Sequence, residues 1–160
     1  MPASLNLIVR RRDGRTIMIA VPSSIDVIRQ RPQFYFPQGV TPVAICSCLV
    51  GDAMELGAAH VIVDRLDQWH IVSADADWLR LPQDRVVAMD RLFLGMQVHP
   101  SRVNAVRSEI FVGAFSVAAY VATPDEVIPV VGSHPLPEAV SRVLCPSPCI
   151  RSVAFLFGDV

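Results

Sequence analysis

The stretch from Ala58 to Leu79 constrains this chain more than any other, because it reads as strand, turn and strand within a short span. Ala58 to Asp64 is a β-rich run preceded by Gly57, Leu66-Asp67-Gln68 carries turn chemistry, and Trp69 to Ser73 resumes the strand pattern. Strands joined this tightly pair antiparallel, since a parallel return needs a long crossover. Val43 to Val50 reads as a further β-rich run closed by Gly51-Asp52, so a meander of antiparallel strands is predicted. If the last strand continues in period two, Trp69, Ile71, Ser73, Asp75 and Asp77 share one side, and His70, Val72, Ala74, Ala76 and Trp78 share the other. The carboxylates of Asp75 and Asp77 then project together, with Asp64 and Asp67 close by in sequence.

The remaining elements follow from local signals. Leu5 to Arg10 and Thr16 to Val21 flank Asp13-Gly14, a pair suited to the positive φ of a type I′ turn, and read as a hairpin. Ser24 is placed to cap a short helix over Ile25 to Arg29 that Pro32 ends. The adjacent aromatics Phe34, Tyr35 and Phe36 are expected to pack a loop over the core. Met89, Leu92, Phe93 and Met96 recur at helical spacing behind a candidate cap at Asp84, although Leu92 to Val98 also fits a strand. Over Val103 to Ala122 periodicity does not separate a buried helix from a buried strand. Pro137 with Val140, Val143 and Leu144 suggests a short helix, and Ser152 to Phe157 a closing strand. No repeat or linker divides the sequence, so residues 1–160 are read as one α+β domain, an antiparallel or mixed sheet with a few helices packed on it.

Composition removes several function classes. Fourteen basic residues against 15 acidic ones leave a net charge of -1, which gives no electrostatic case for direct nucleic-acid binding. All the basic residues are Arg, as a high-GC bacterial coding sequence would give. The longest apolar stretch, Ile110 to Ala122, is too short for a membrane span, and Met1 to Asn6 lacks the basic start of a signal peptide, so a cytoplasmic protein is expected.

Candidate chemistry is sparse. Cys46, Cys48, Cys145 and Cys149 would make a thiolate zinc site if their two segments met, but the apolar surroundings of Cys46 and Cys48 favour reduced, buried thiols, and no cofactor is expected. His60, His70, His99 and His134 have no metal-ligand spacing, and neither a nucleophile elbow nor a phosphate loop is present. Arg107 and Glu109 flank Ser108 at the entrance to the most apolar segment, where an ion pair fixing that entrance is expected. Asp75 and Asp77 suit contact with a partner, and alternatively a hard divalent cation in a small metal-dependent hydrolase.

Val61 to Ser73 followed by Asp77-Trp78-Leu79, together with Asn104 to Phe115, resembles bacterial immunity proteins of polymorphic toxin systems of the contact-dependent growth inhibition kind. The two blocks together cover roughly a sixth of the chain. The resemblance implies a non-catalytic cytoplasmic protein that binds and blocks the C-terminal toxin domain of a neighbouring cell, such as a nuclease. Its partner-binding residues would be Asp64, Asp67, Asp75 and Asp77 against a basic cleft, with Trp69 as the aromatic anchor.

Overall fold

A computed structural model describes residues 5–10, 16–80 and 88–158. The predicted opening hairpin is present as β1 (Leu5–Arg10) and β2 (Thr16–Val21), which pair antiparallel in a two-stranded sheet of their own; its Asp13-Gly14 turn lies outside the described residues. The main sheet contains β3 (Val61–Leu66), β4 (Trp69–Ala74), β5 (Ser116–Ala122), β6 (Val127–Val131) and β7 (Arg151–Phe157), ordered β3-β4-β7-β5-β6 with every neighbouring pair antiparallel. With the helices α1 (Ser24–Gln30), α2 (Pro42–Glu55), α3 (Met89–Leu94), α4 (Glu109–Phe115) and α5 (Glu138–Ser141), the fold is α+β. Among the described residues no helix is long and apolar enough to cross a membrane.

The period-two reading of β4 sorts its side chains correctly. Val72 and Ala74 join the larger core, with Val153 and Phe155 of β7, Ala119 and Val121 of β5, Ile25 and Ile28 of α1, Ile45 and Leu49 of α2, and Phe93 of α3. Trp69 and Ile71 face the opposite way, into a smaller core with Ala118, Ala154, Leu156 and Val140. The segment after β6 covers that second face, where the Tyr120 hydroxyl donates to the His134 carbonyl at 2.7 Å. Both faces of the sheet are therefore packed, which explains why β7, Arg151–Phe157, is an unbroken apolar run from Val153 onward.

Several boundaries differ from expectation for identifiable reasons. Val43 to Val50 is not a strand but lies in the N-terminal part of α2, started by Thr41, whose Oγ1 accepts from the Ala44 N–H at 3.1 Å, and by Pro42 in the first turn. Ile45, Leu49, Asp52 and Ala53 fall on its buried side. Ser23, one residue before the expected Ser24, caps α1 in a reciprocal capping box with Asp26. The Met89 helix is real but short, Met96 is exposed, and the candidate cap Asp84 lies outside the described residues. Val103 to Ala122 contains both structures left open by its pattern, since α4 passes directly into β5 at Phe115-Ser116. The carbonyls at that junction are satisfied from elsewhere: Arg29 Nε donates to Ala114 at 2.7 Å, and the Gly158 N–H to Phe115 at 3.3 Å.

Close approach of backbones shapes the helical layer. α4 lies so near the end of α3 that a Cβ built at Gly113 would sit 1.7 Å from the Phe93 carbonyl oxygen. Phe36 packs edge-on against Phe111 with ring centroids 4.9 Å apart, and Tyr35 meets the same ring at 5.3 Å, whereas Phe34 is exposed. Two of the three loop aromatics thus belong to the core.

Candidate functional site

The β3–β4 hairpin separates the four carboxylates instead of gathering them. Asp67 adopts φ 54° in the tight turn between Leu66 and Trp69, while Asp75 and Asp77 follow the other end of β4. A strand of that length places the two groups about 20 Å apart. The expected acidic cluster of Asp64, Asp67, Asp75 and Asp77 is therefore corrected to an exposed pair near the turn and a separate pair at the base. The separation follows from strand length alone, since Asp67 sits at the turn and Asp75 beyond the far end of β4, where its N–H donates to the His60 carbonyl in continuation of the ladder.

At the base, each carboxylate has its own partner. Asp75 accepts from the backbone N–H groups of Ala59 and His60 at 2.9 and 3.0 Å and lies 2.9 Å from His60 Nδ1, holding the entry to β3. The hydrogen bonds from the His60 backbone and ring keep its carboxyl below the usual range. Arg151 Nε and Nη2 both reach Asp77 Oδ1 at 2.8 Å. Among the described residues no three His, Cys, Asp or Glu side chains are grouped as a metal ion would require. Cys46 is buried on α2 with its thiol pushed up to about 11 by desolvation, while Cys145 bonds to Ala122 and Ser152 on the opposite side of the sheet.

Asp75 gives a pH prediction. A carboxyl whose folded pKa is depressed contributes stability that is fully present above its unfolded pKa and is lost as pH falls through the folded value. Asp75→Asn is accordingly expected to lower the Tm near neutral pH, with the difference from wild type closing on acidification. Thermal melts across the carboxylate range check this, and a difference that stays constant or widens in acid refutes it.

Trp69 is 3% exposed within the second core, beside Tyr120 at a centroid distance of 5.9 Å, so a partner cannot reach it while the fold is intact. The expected aromatic anchor is thus a packing residue, hidden because the sheet is covered on both faces. Trp78, placed in the core by the sequence, is 1% exposed.

What is open lies on the other side of the same hairpin. A cleft of about 430 Å³ runs between α2 and the edge of the sheet, with Val43, Cys46, Ser47 and Val50 on one wall, Val63, Asp64 and Arg65 of β3 on the other, and His70 of β4. Val43 and Val63 at its sides are 70% and 51% exposed, high for apolar residues flanking one cavity. The His70 ring stacks on Phe155 with centroids 5.5 Å apart, and its pKa is lowered by burial and by the neighbouring Arg65 cation. Arg65 Nε donates to the Asp67 carbonyl at 3.0 Å. The arrangement suits an apolar group with a polar flank, as ligand-binding and interface pockets do.

Comparison with protein families, with curated proteins and with solved structures finds no match. The geometry therefore carries the functional argument.

Behind the cleft, two polar networks hold α2 and α4 in place. Asp52, fully buried on α2, is paired with Arg102 and accepts from the Ser108 N–H at 2.8 Å. Arg102 Nε also reaches Glu55 at 2.9 Å. His99 Nδ1 accepts from the Ser101 N–H at 3.2 Å, which leaves Nε2 facing Asp52 at 3.5 Å. Arg107 and Glu109 form the ion pair expected from the sequence, both at 0% exposure, with bonds of 2.5 and 3.1 Å, and Arg107 Nη2 also donates to the Trp78 carbonyl at 2.7 Å. Sequence reasoning missed Val43, Val63, Arg65 and His70 as cleft residues. The hairpin register alone would have grouped three of them, because Val63 pairs with Val72 and Arg65 with His70 on the face opposite Trp69.

Proposed function

We propose that this chain is a non-catalytic immunity protein that binds a toxin domain delivered by a neighbouring cell, in a system of the contact-dependent growth inhibition kind, and neutralises it in the cytoplasm. The observation that carries the proposal is the open α2–β3 cleft, an apolar depression flanked by exposed valines with Arg65 and His70 on its polar side. Depressions of this kind accept the central anchor of a protein partner, and exposed carboxylates such as Asp64 and Asp67 steer a basic one. The two sequence blocks behind the resemblance are in contact, since Arg107 of the second donates to the Trp78 carbonyl of the first. Asp75 and Asp77, the basis of the hydrolase alternative, are held by His60 and Arg151 and support that reading poorly.

The test begins with the neighbouring reading frame. The C-terminal domain of an adjacent large secreted protein should arrest growth when expressed alone and be tolerated when this chain is co-expressed. Val63→Asp, at an exposed position where a charge leaves the fold intact, is expected to weaken the complex by about 2 kcal/mol or more, as loss of a central contact does. Absence of protection by the wild-type chain, or an unaltered affinity for the variant, overturns the proposal in its present form.

A further inference from the structure

We infer that the open edge of β3 accepts an extended segment of the partner protein as an added strand, which points an apolar side chain and, two residues away, a carboxylate into the α2 cleft. The inference rests on the binding role proposed above and specifies the chemistry of its partner. β3 is the terminal strand of the sheet, and no described strand pairs with its outer side. In a hairpin closed by two residues, the pair flanking the turn, here Leu66 and Trp69, exchanges both backbone hydrogen bonds, and bonded and non-bonded pairs alternate from there. Val61, Val63 and Arg65 consequently turn their N–H and C=O groups outward. Their side chains point to the α2 face, Val63 opposite Val72 and Arg65 opposite His70. An incoming strand would meet backbone partners and the cleft at once, whereas a small molecule in the cleft would use only the second.

Charge decides the sign of the contact. Arg65 forms no ion pair with any described residue, and its cation already disfavours protonation of His70 beside it. A carboxylate facing this pair neutralises the cation and allows the ring to take up a proton. Asp64, one residue away and on the other face, asks for the opposite charge. A second copy of the chain is a poor occupant, because two-fold pairing of β3 edges about Asp64 or Arg65 sets like charges opposite each other. Pairing about Val63 instead leaves Arg65 against Val61.

The full chain, isotopically labelled, is titrated with acetyl-Thr-Val-Thr-Glu-Thr-Val-Thr-amide, whose sequence reads the same in either strand direction, and with its counterpart carrying Lys in place of Glu. Expected are saturable amide shifts at Val61, Val63 and Arg65, a rise in the His70 pKa with the Glu peptide, and binding of the Lys peptide weaker by about tenfold or more. Val61→Pro, which removes an outward N–H at the first residue of an edge strand where proline is tolerated, should weaken binding about tenfold with little change in Tm. Arg65→Gln should bring the two peptides to similar affinity. Equal wild-type affinities, shifts confined to another surface, self-association of the chain through β3, or no saturable shift below about 5 mM peptide overturn the inference. If the wild-type chain protects cells and both variants protect with undiminished toxin affinity, the edge inference falls and the function stands. If the wild-type chain gives no protection, the proposed function falls whatever the peptides do.

Discussion

Replacing Arg107 with Met is expected to destabilise the protein by about 3 to 5 kcal/mol, the range for removing one partner of a buried ion pair. The guanidinium is fully buried and supplies Glu109 with two hydrogen bonds and the Trp78 carbonyl with a third. Without it a carboxylate remains in the core with its main counter-charge gone. Burial already raises the Glu109 pKa against the opposing pull of Arg107, so the substitution raises it further. A carboxyl whose folded pKa exceeds its unfolded value binds the proton more tightly when folded, and the variant should therefore gain stability as pH falls from above the folded pKa toward the unfolded one. The Arg107→Met, Glu109→Met double variant is expected to recover most of the loss, because the desolvated charge disappears with its partner. Urea unfolding of the two single variants and the double one checks this, and additive losses would show that the pair acts as two independent packing residues.

Gly113→Ala is expected to cost about 3 kcal/mol or more, at the upper end for overpacking. The added methyl would lie 1.7 Å from the Phe93 carbonyl oxygen and 2.7 Å from its carbon, both backbone atoms, and 3.2 Å from Ile25 Cδ1. A side chain can rotate away from such a clash, but a carbonyl inside α3 moves only with its helix. Intrinsic propensity acts in the opposite sense, since Ala favours a helix over Gly by about 1 kcal/mol, and the steric effect is the larger. Thermal melts decide the sign. A variant as stable as the wild type would mean that α3 and α4 pack farther apart than the structure has them.

The sequence disclosed the antiparallel hairpins, the closing strand and the buried Arg107–Glu109 pair, because each rests on local chemistry: turn residues, alternation, or opposite charges flanking an apolar segment. It misplaced α2 because Val43, Ile45, Cys46, Cys48, Leu49 and Val50 give an apolar, partly β-branched density that suits either element, and the helix start at Thr41-Pro42 went unread. It misread the site for a different reason. Assigning Trp69 to a surface assumed a sheet with one wet face, and the segment after β6 that covers it, with Leu136, Val140 and Leu144, announces no such position in its own sequence. The cleft residues Val43 and Val63 come from elements about twenty positions apart, so their proximity is a property of packing that periodicity within either element does not contain.

The passage from α4 into β5 without an intervening loop bears on how the molecule can be engineered. Helix and strand share a boundary at Phe115-Ser116, and the carbonyls on its helical side are claimed by Arg29 and by the Gly158 N–H. Residues inserted there would shift the register of β5 against β7 and pull both donors off their acceptors, so this joint is closed to tags and split points. The Thr123–Glu126 turn offers the contrasting site, fastened among the described residues by its own short hydrogen bonds and set at the opposite edge of the sheet from β3. A reporter placed in it would leave the α2 cleft free to be titrated on an unbroken scaffold.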